Sequence, residues 1–106
     1  MKVMPKVKKG EDMNEKLYLL VLGATLNFDE VKAFLDGQRR ITDWFCSMPN
    51  SIFLVSPAQA SEIYEMIRSK FQEGRLFLTE VSPSNRQGWM PRNHWAKIND
   101  VNSEHS

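Results

Sequence analysis

The chain has 106 residues, an ordinary apolar content of 42% and a formal net charge of +1. This length fits one domain with a buried core, and a charge so close to zero neither favours nor excludes nucleic acid as a partner. Cys46 is the only cysteine, which excludes an intrachain disulfide and favours a reducing, cytoplasmic location. No apolar run has the length of a membrane span or the pattern of a signal peptide, so we expect no membrane partner.

Composition divides the chain into three segments. Residues Met1–Lys16 are polar and rich in lysine without periodicity, which predicts a mobile tail. Residues Leu17–Ile98 carry the apolar patterns of a folded domain, including a tryptophan segment near the end. Residues Asn99–Ser106 are polar again and predict a frayed end.

The first predicted elements are a strand and a short helix. Leu17–Ala24 is an almost continuous apolar run, typical of a strand that is buried on both faces and central in its sheet. Asn27 is a suitable N-cap for the helix, and Glu30 stands three residues later, where its carboxylate can complete a capping box. Gly37 is a suitable helix end.

A β-hairpin is predicted in the middle of the chain. Thr42–Met48 and Ser51–Val55 are short runs rich in aromatic and β-branched residues. Pro49 and Asn50 separate them, and this pair favours a turn because proline presets φ and asparagine tolerates unusual backbone angles.

A second helix and a fourth strand follow the hairpin. Ser56 is predicted as the N-cap, with Pro57 at the first helical position and Gln59 at the third. Apolar residues then recur at helical spacing: Ala60, Ile63, Tyr64, Ile67 and Phe71. Gly74 is predicted to end this helix, and Arg75–Val81 is the predicted fourth strand.

The order β-α-β-β-α-β predicts an α+β fold of the ferredoxin-like type. In this fold a four-stranded antiparallel sheet carries both helices on one face. The chain continues as a C-terminal extension, in which Pro91 is suited to open a short helical turn with Trp95 and Ile98 on one side. Two tryptophans so near a chain end are predicted to anchor that end onto the body of the domain.

The second face of the sheet is predicted to need a cover. The predicted strands carry apolar residues on both faces, whereas a solvated face alternates with polar residues. Covering a patch of several hundred Å² is worth on the order of 10 kcal/mol before entropy is subtracted. The cover can be the C-terminal segment, a second copy or a ligand, and we expect a homodimer in which the C-terminal segment helps. The predicted packing residues are Tyr18, Phe45, Phe53, Trp89 and Trp95.

No set of residues in the sequence predicts catalysis, a metal site or a cofactor. His94 and His105 are the only histidines, and no group of His, Cys and carboxylate residues has metal-ligand spacing. We interpret His94 as a surface residue, Cys46 as a small core residue and Asp43 as a strand-edge residue. A phosphate loop, a dinucleotide fingerprint and a nucleophile elbow are all absent from the sequence.

Nucleic acid is the alternative partner. Aromatic residues of the predicted sheet are candidates for base stacking: Tyr18, Phe45 and Phe53. The strand Ser51–Val55, however, lacks the basic-glycine-aromatic signature of RNA-recognition modules. Arginines in the predicted loops are candidates for phosphate binding: Arg39, Arg40, Arg86 and Arg92.

Several stretches resemble one group of proteins. LYLLVLGA, the hairpin, SPAQ, RLFLTEV and GWMPRNHWAKI resemble the SinR-like group of small uncharacterised bacterial proteins, over about residues Leu17–Asn99. That group is similar in fold to small CRISPR-associated ferredoxin-like dimers and to ferredoxin-like toxin and antitoxin ribonucleases. The resemblance implies a homodimer formed through the sheets. The CRISPR-associated proteins carry an aspartate at the end of the first strand, where this chain has Leu22-Gly23-Ala24-Thr25.

The residues and the resemblance together predict a non-enzymatic homodimeric binding or interaction module of bacterial or phage origin. Its partner would be another protein. The alternative is a nucleic-acid-binding protein or an endoribonuclease of the toxin–antitoxin or CRISPR-associated type. The missing first-strand aspartate weighs against a metal-dependent nuclease.

Overall fold

The computed structural model describes residues 14–103, so most of the predicted N-terminal tail lies outside the described residues. The elements are β1 (Lys16–Leu22), α1 (Phe28–Asp36), β2 (Asp43–Phe45), β3 (Ser51–Ser56), α2 (Ala60–Lys70), β4 (Leu76–Glu80) and α3 (Arg92–Ser103). Among the described residues, the helices are all too short or too polar to cross a bilayer.

The four strands form one antiparallel sheet in the order β2-β3-β1-β4. Strand β3 lies between the two strands that α1 connects, and β1 lies between the two strands that α2 connects. The predicted α+β class with a four-stranded antiparallel sheet is therefore confirmed. The apolar run that predicted a central strand is β1, which pairs with a strand on each side.

Helix α1 begins and ends where its sequence predicts. The Asn27 side chain accepts a hydrogen bond from the Glu30 backbone N–H at 3.0 Å, and Gly37 is the C-cap. The cap supplies an acceptor for a backbone donor that has no partner inside the helix. The helix buries Val31 and Leu35 completely.

Helix α2 starts later than predicted, because Ser56 belongs to β3. Its hydroxyl donates to the Arg40 carbonyl at 2.6 Å and accepts from the Ala58 N–H at 3.0 Å. The N-cap is Gln59 instead, whose N–H donates to Glu62 Oε1 at 2.9 Å. The predicted cap at Ser56 is therefore wrong, since that serine is fully buried and its hydroxyl joins two chain segments.

Gly74 does not end α2 but shapes the turn before β4. The helix ends at Lys70 with Phe71 as its C-cap. Gly74 has a positive φ of 104°, and a Cβ atom there would lie 2.8 Å from Leu26 Cγ. The turn therefore requires glycine both for its backbone angle and for space.

The hairpin has a shorter first strand than predicted. Strand β2 contains only Asp43–Phe45, although the predicted run extended to Met48. Asn50 adopts the expected unusual backbone, with φ of 60°. After the strand ends, Ser47 contacts α3, with its Oγ 2.8 Å from His94 Nδ1.

Each face of the sheet has its own apolar core. On the front face, α1 and α2 cover the even-numbered side chains of β1. The buried members of this front cluster are Tyr18, Leu20, Leu22, Val31, Leu35, Ile41, Ile52, Leu54, Ala58, Ile63, Ile67 and Phe71. On the rear face, the buried members are Leu17, Phe45, Phe53, Val55 and Ile98.

Much of the rear face is covered by α3 of the same chain, so the C-terminal segment is a cover of this face, as one of the three predicted possibilities had it. Ile98 is only 2% exposed, and Trp95 and Val101 pack against the same cluster. Residues three apart share one side of a helix. The sequence predicted only one short helical turn here, whereas α3 has 12 residues. Its apolar stripe is therefore long enough to span several strands. The helix continues to Ser103, beyond the predicted domain end at Ile98.

Tyr18 is part of the front core, and its buried phenol makes folding sensitive to alkaline pH. Its hydroxyl donates to the Ala58 carbonyl at 2.6 Å. Burial raises the pKa of Tyr18 above its usual value, and the nearby carboxylates of Glu80 and Glu62 raise it further. Because the folded state holds this proton more tightly, its contribution to stability is complete below about pH 10 and is lost as the pH rises through the folded-state pKa.

We therefore expect the free energy of unfolding of the wild type to fall more steeply above about pH 10 than that of Tyr18→Phe. Urea unfolding at a series of alkaline pH values measures, for each protein, how steeply the free energy of unfolding falls with pH. Parallel curves for the two proteins would contradict the buried, hydrogen-bonded phenol.

Candidate interaction surface at the edge of the sheet

The aromatic residues predicted to stack bases or to form a dimer lie inside the domain. Tyr18 is 1% exposed in the front cluster, and Phe45 and Phe53 are each 6% exposed in the rear cluster. The two phenylalanine rings stack on each other with centroids 5.1 Å apart. All three pack within one chain, so their aromatic faces are not open to bases in the single chain, and a role in a dimer stays a prediction.

The four predicted phosphate-binding arginines do not converge. Arg40 lies beside α2 on the front of the sheet, with Nη2 2.9 Å from Glu62 Oε1. Arg86 lies on the α3 side, where its Nη2 donates to Asn99 Oδ1 at 3.1 Å. The other two are exposed loop or helix-start residues: Arg39 and Arg92. The sheet separates Arg40 from Arg86, so the four arginines do not form one basic surface.

The two predicted anchor tryptophans behave differently. Trp95 is half-buried against the rear cluster and confirms the anchoring of the C-terminal segment. Trp89 is 90% exposed, so it does not anchor the C-terminal segment onto the body of its own chain, and its predicted role in a dimer stays a prediction. It precedes α3 and therefore lies outside the helical stripe that places Trp95 and Ile98 on the sheet.

A serine–histidine contact links the β2–β3 loop to α3. Ser47 Oγ lies 2.8 Å from His94 Nδ1, and the His94 ring lies 5.3 Å from the Phe45 ring. A nucleophilic serine needs a base that a third group orients. The nearby Asp43 carboxylate instead lies 3.5 Å from Lys97 Nζ. The contact therefore docks the loop onto α3, and His94 is half-buried beside Trp95.

Cys46 has the properties of a packing residue. It is half-buried and packs against the front cluster. Burial raises the pKa of its thiol, and nearby Lys32 acts in the opposite direction. A raised pKa leaves less of the thiolate, which is the nucleophilic form. Within residues 14–103, no three His, Cys, Asp or Glu side chains are close enough to hold a metal ion.

The outer edge of β4 presents backbone groups for a further strand. On its inner side, the Val81 N–H donates to the Leu17 carbonyl and the Gly23 N–H donates to the Arg75 carbonyl, both at 2.8 Å. Hydrogen-bonded positions alternate along an antiparallel ladder. The odd-numbered residues of β4 therefore bond to β1, and the even-numbered ones direct their N–H and C=O groups outward: Leu76, Leu78 and Glu80.

A groove runs along the front of this edge. Leu76 and Leu78 are half-buried against the front cluster, and α2 lies beside them. The groove has a volume of about 310 Å³ and is lined by Ala60, Ser61, Tyr64, Leu76, Phe77 and Leu78. Its walls are mostly apolar, and the hydroxyls of Ser61 and Tyr64 supply polar contacts.

The rear of the same edge is apolar and open. Phe77 is 64% exposed, and Val21, its cross-strand partner, is 40% exposed. Further along the rear face, α3 packs over β1, where Leu17 is 2% exposed and Leu19 is half-buried. We call the outward backbone of β4, the groove and this Val21–Phe77 pair the β4 edge surface.

The two edges of the sheet differ in how well they resist pairing. Folded proteins protect edge strands by making them very short or by placing charges or proline on them. Strand β2 is three residues long and begins with Asp43. Strand β4 is five residues long, and the three residues at its centre are uncharged: Phe77, Leu78 and Thr79. Strand β4 is therefore the edge that can accept another strand.

Comparisons with models of known protein families, with curated proteins and with solved structures found no match to this chain. The SinR-like and ferredoxin-like assignments therefore stay predictions.

Proposed function

We propose that this protein is a non-enzymatic interaction module that binds an extended segment of a protein chain as an added strand beside β4. The observation that carries this proposal is the outward backbone of Leu76, Leu78 and Glu80, with exposed apolar surface on both sides of it. In binding by strand addition, main-chain hydrogen bonds supply affinity, and contacts with alternate side chains supply specificity.

The β4 edge surface favours a particular kind of segment. Side chains of an added strand point alternately to the two faces. Those on the front enter the groove beside Tyr64, and those on the rear contact Phe77. Arg75 and Glu80 lie at opposite ends of β4 and attract opposite charges. The expected ligand is therefore an extended apolar segment with an acidic residue near Arg75 and a basic residue near Glu80.

Nucleic-acid binding, the alternative function, is less well supported. Its candidate aromatic residues are buried, and its candidate arginines lie on both sides of the sheet. The homodimeric state, the bacterial or phage origin and the cytoplasmic location of the module stay predictions.

Proline at position 80 is expected to weaken binding of an added strand about tenfold, because it removes one outward N–H. The change leaves the ladder with β1 intact, since the Glu80 backbone points away from β1. Glu80→Ala removes the same side chain and keeps the N–H, so it is the matched control. Extended peptides selected from a displayed random library against the wild type supply the ligands, and fluorescence anisotropy measures their affinities.

The selected peptides should bind Glu80→Ala like the wild type and bind Glu80→Pro more weakly. Circular dichroism establishes that both variants are folded. Failure to select any peptide with the wild type, or equal affinity for the proline and alanine variants, would contradict strand addition at β4.

A further inference from the structure

We infer that the β4 edge surface binds β4 of a second copy of this chain, so that two four-stranded sheets join into one continuous sheet. This inference rests on the proposed function and names the partner of the same surface. When two identical chains are related by a two-fold axis, each chain contributes the same surface to the interface. Two copies of β4 related in this way are necessarily antiparallel.

The outward backbone groups limit the possible registers. The even-numbered residues of β4 must face even-numbered residues of the second copy, because only these direct N–H and C=O groups outward. A two-fold axis at any residue of β4 satisfies this condition, and three of these positions pair at least three residues of each strand: Phe77, Leu78 and Thr79. Each position places different side chains opposite one another.

The side chains favour the axis at Phe77. This register sets Leu76 opposite Leu78 of the second copy in the front groove. It also sets the two Phe77 rings opposite each other at a position without hydrogen bonds, where side chains come closest. An axis at Leu78 or at Thr79 would place the Glu80 carboxylate opposite a leucine and remove part of its hydration.

The charges of β4 permit antiparallel self-pairing. Arg75 precedes the strand and Glu80 ends it. In the register centred on Phe77, Arg75 faces Thr79 of the second copy and Glu80 faces Gly74, and the alternation of β4 places the Arg75 and Glu80 side chains on opposite faces of the joined sheet. No like charges therefore stand opposite each other, so the charges of β4 do not oppose this pairing.

The interface also accounts for the exposed Phe77 ring. Pairing would cover Phe77, which is 64% exposed in the single chain, at the centre of the contact. The contact extends over one short strand and its flanking side chains, less than the ~1,200 Å² at which standard-size interfaces begin. The dimer is therefore expected to be weak and to depend on protein concentration in the micromolar range.

The first test compares dimerisation of the wild type, Phe77→Asp and Trp89→Asp by light scattering over a concentration series. The wild type should pass from the mass of one chain to that of two. Phe77→Asp should raise the dissociation constant about tenfold or more, because the two charges would meet at the axis. Trp89→Asp changes another exposed aromatic outside β4 and should behave like the wild type. Circular dichroism checks that the variants are folded.

The second test identifies the register by disulfide formation in a Cys46→Ala background. Phe77→Cys should form a dimer disulfide quickly on mild oxidation, because Cβ atoms of such opposed residues lie about 4.5–5.5 Å apart. Thr79→Cys is the matched control, since it would face Arg75 of the second copy and should cross-link slowly. Faster cross-linking at position 79 than at position 77 would overturn the proposed register.

Failure of this inference can be told apart from failure of the proposed function. The wild type could stay monomeric at every concentration and still bind selected peptides in a manner sensitive to Glu80→Pro. That result would contradict pairing with a second copy and would still support strand addition at β4. A dimer that is unaffected by Phe77→Asp would also overturn the inference. A monomer that binds no peptide would overturn both.

Discussion

Replacing Ile98 by aspartate is expected to lower the free energy of unfolding by about 4 kcal/mol or more. Ile98 is 2% exposed and lies between α3 and the rear face of the sheet, beside Leu17 and Phe53. The substitution removes a buried side chain and places a carboxylate among apolar residues, where ionisation is costly. Such a loss is comparable with the whole stability of many small domains, so a large unfolded fraction is expected in urea titrations followed by circular dichroism.

Ala96→Asp is the matched control for this prediction. It introduces the same side chain into the same helix at an exposed position and should cost less than about 1 kcal/mol. Ile98→Ala, a milder change that keeps the site apolar, should cost about 2–4 kcal/mol. Equal stability of the two aspartate variants would show that α3 does not pack on the sheet in solution.

Removal of the Ser56 hydroxyl is expected to lower the free energy of unfolding by about 1–3 kcal/mol. Ser56 is fully buried, and its hydroxyl bonds both the Arg40 carbonyl and the Ala58 N–H. Ser56→Ala leaves the Arg40 carbonyl and the Ala58 N–H without this partner. A buried polar group without a hydrogen bond is costly. Chemical denaturation of the variant measures the loss.

Ser61→Ala provides the comparison for Ser56→Ala. Ser61 is exposed in α2, and alanine favours a helix, so this variant should be at least as stable as the wild type. If Ser56→Ala were also as stable as the wild type, the buried hydroxyl would contribute nothing to stability. That result would contradict the two hydrogen bonds that join it to the Arg40 carbonyl and the Ala58 N–H.

The elements with local signals were the most predictable from the sequence. The Asn27 cap and the Gly37 end of α1 depend on residues within a few positions of each other. The central position of β1 follows from its apolar residues on both faces. The start of α2 was not predictable in this way, because the Ser56 hydroxyl bonds Arg40, a residue distant in sequence.

The cover of the rear face shows what sequence patterns leave undecided. Apolar residues on both faces of β1 indicated that a cover was needed, and Trp95 with Ile98 indicated one that was available. The polar residues from Asn99 onward predicted a frayed end and so hid the length of α3. Val101 continues the stripe three residues after Ile98, and this was the signal that could have found the longer helix.

The β4 edge surface was only partly visible in the sequence. The alternation of Leu76, Phe77 and Leu78 indicated a strand with apolar residues on both faces. The exposure of Phe77 could not be predicted, because it depends on which rows of the sheet α3 reaches. The outward direction of the Leu78 backbone depends on the register with β1, which only the structure supplies.

Amide hydrogen exchange in dilute protein, measured residue by residue by NMR, tests most directly whether the outer edge of β4 is open. The N–H groups of Phe77 and Thr79 bond to β1 and should exchange slowly, whereas those of Leu76, Leu78 and Glu80 should exchange much faster. This alternation is the predicted result. Equal protection of Leu78 and Thr79 in the dilute protein would mean that another part of the chain already covers the edge, and would contradict β4 as the binding surface.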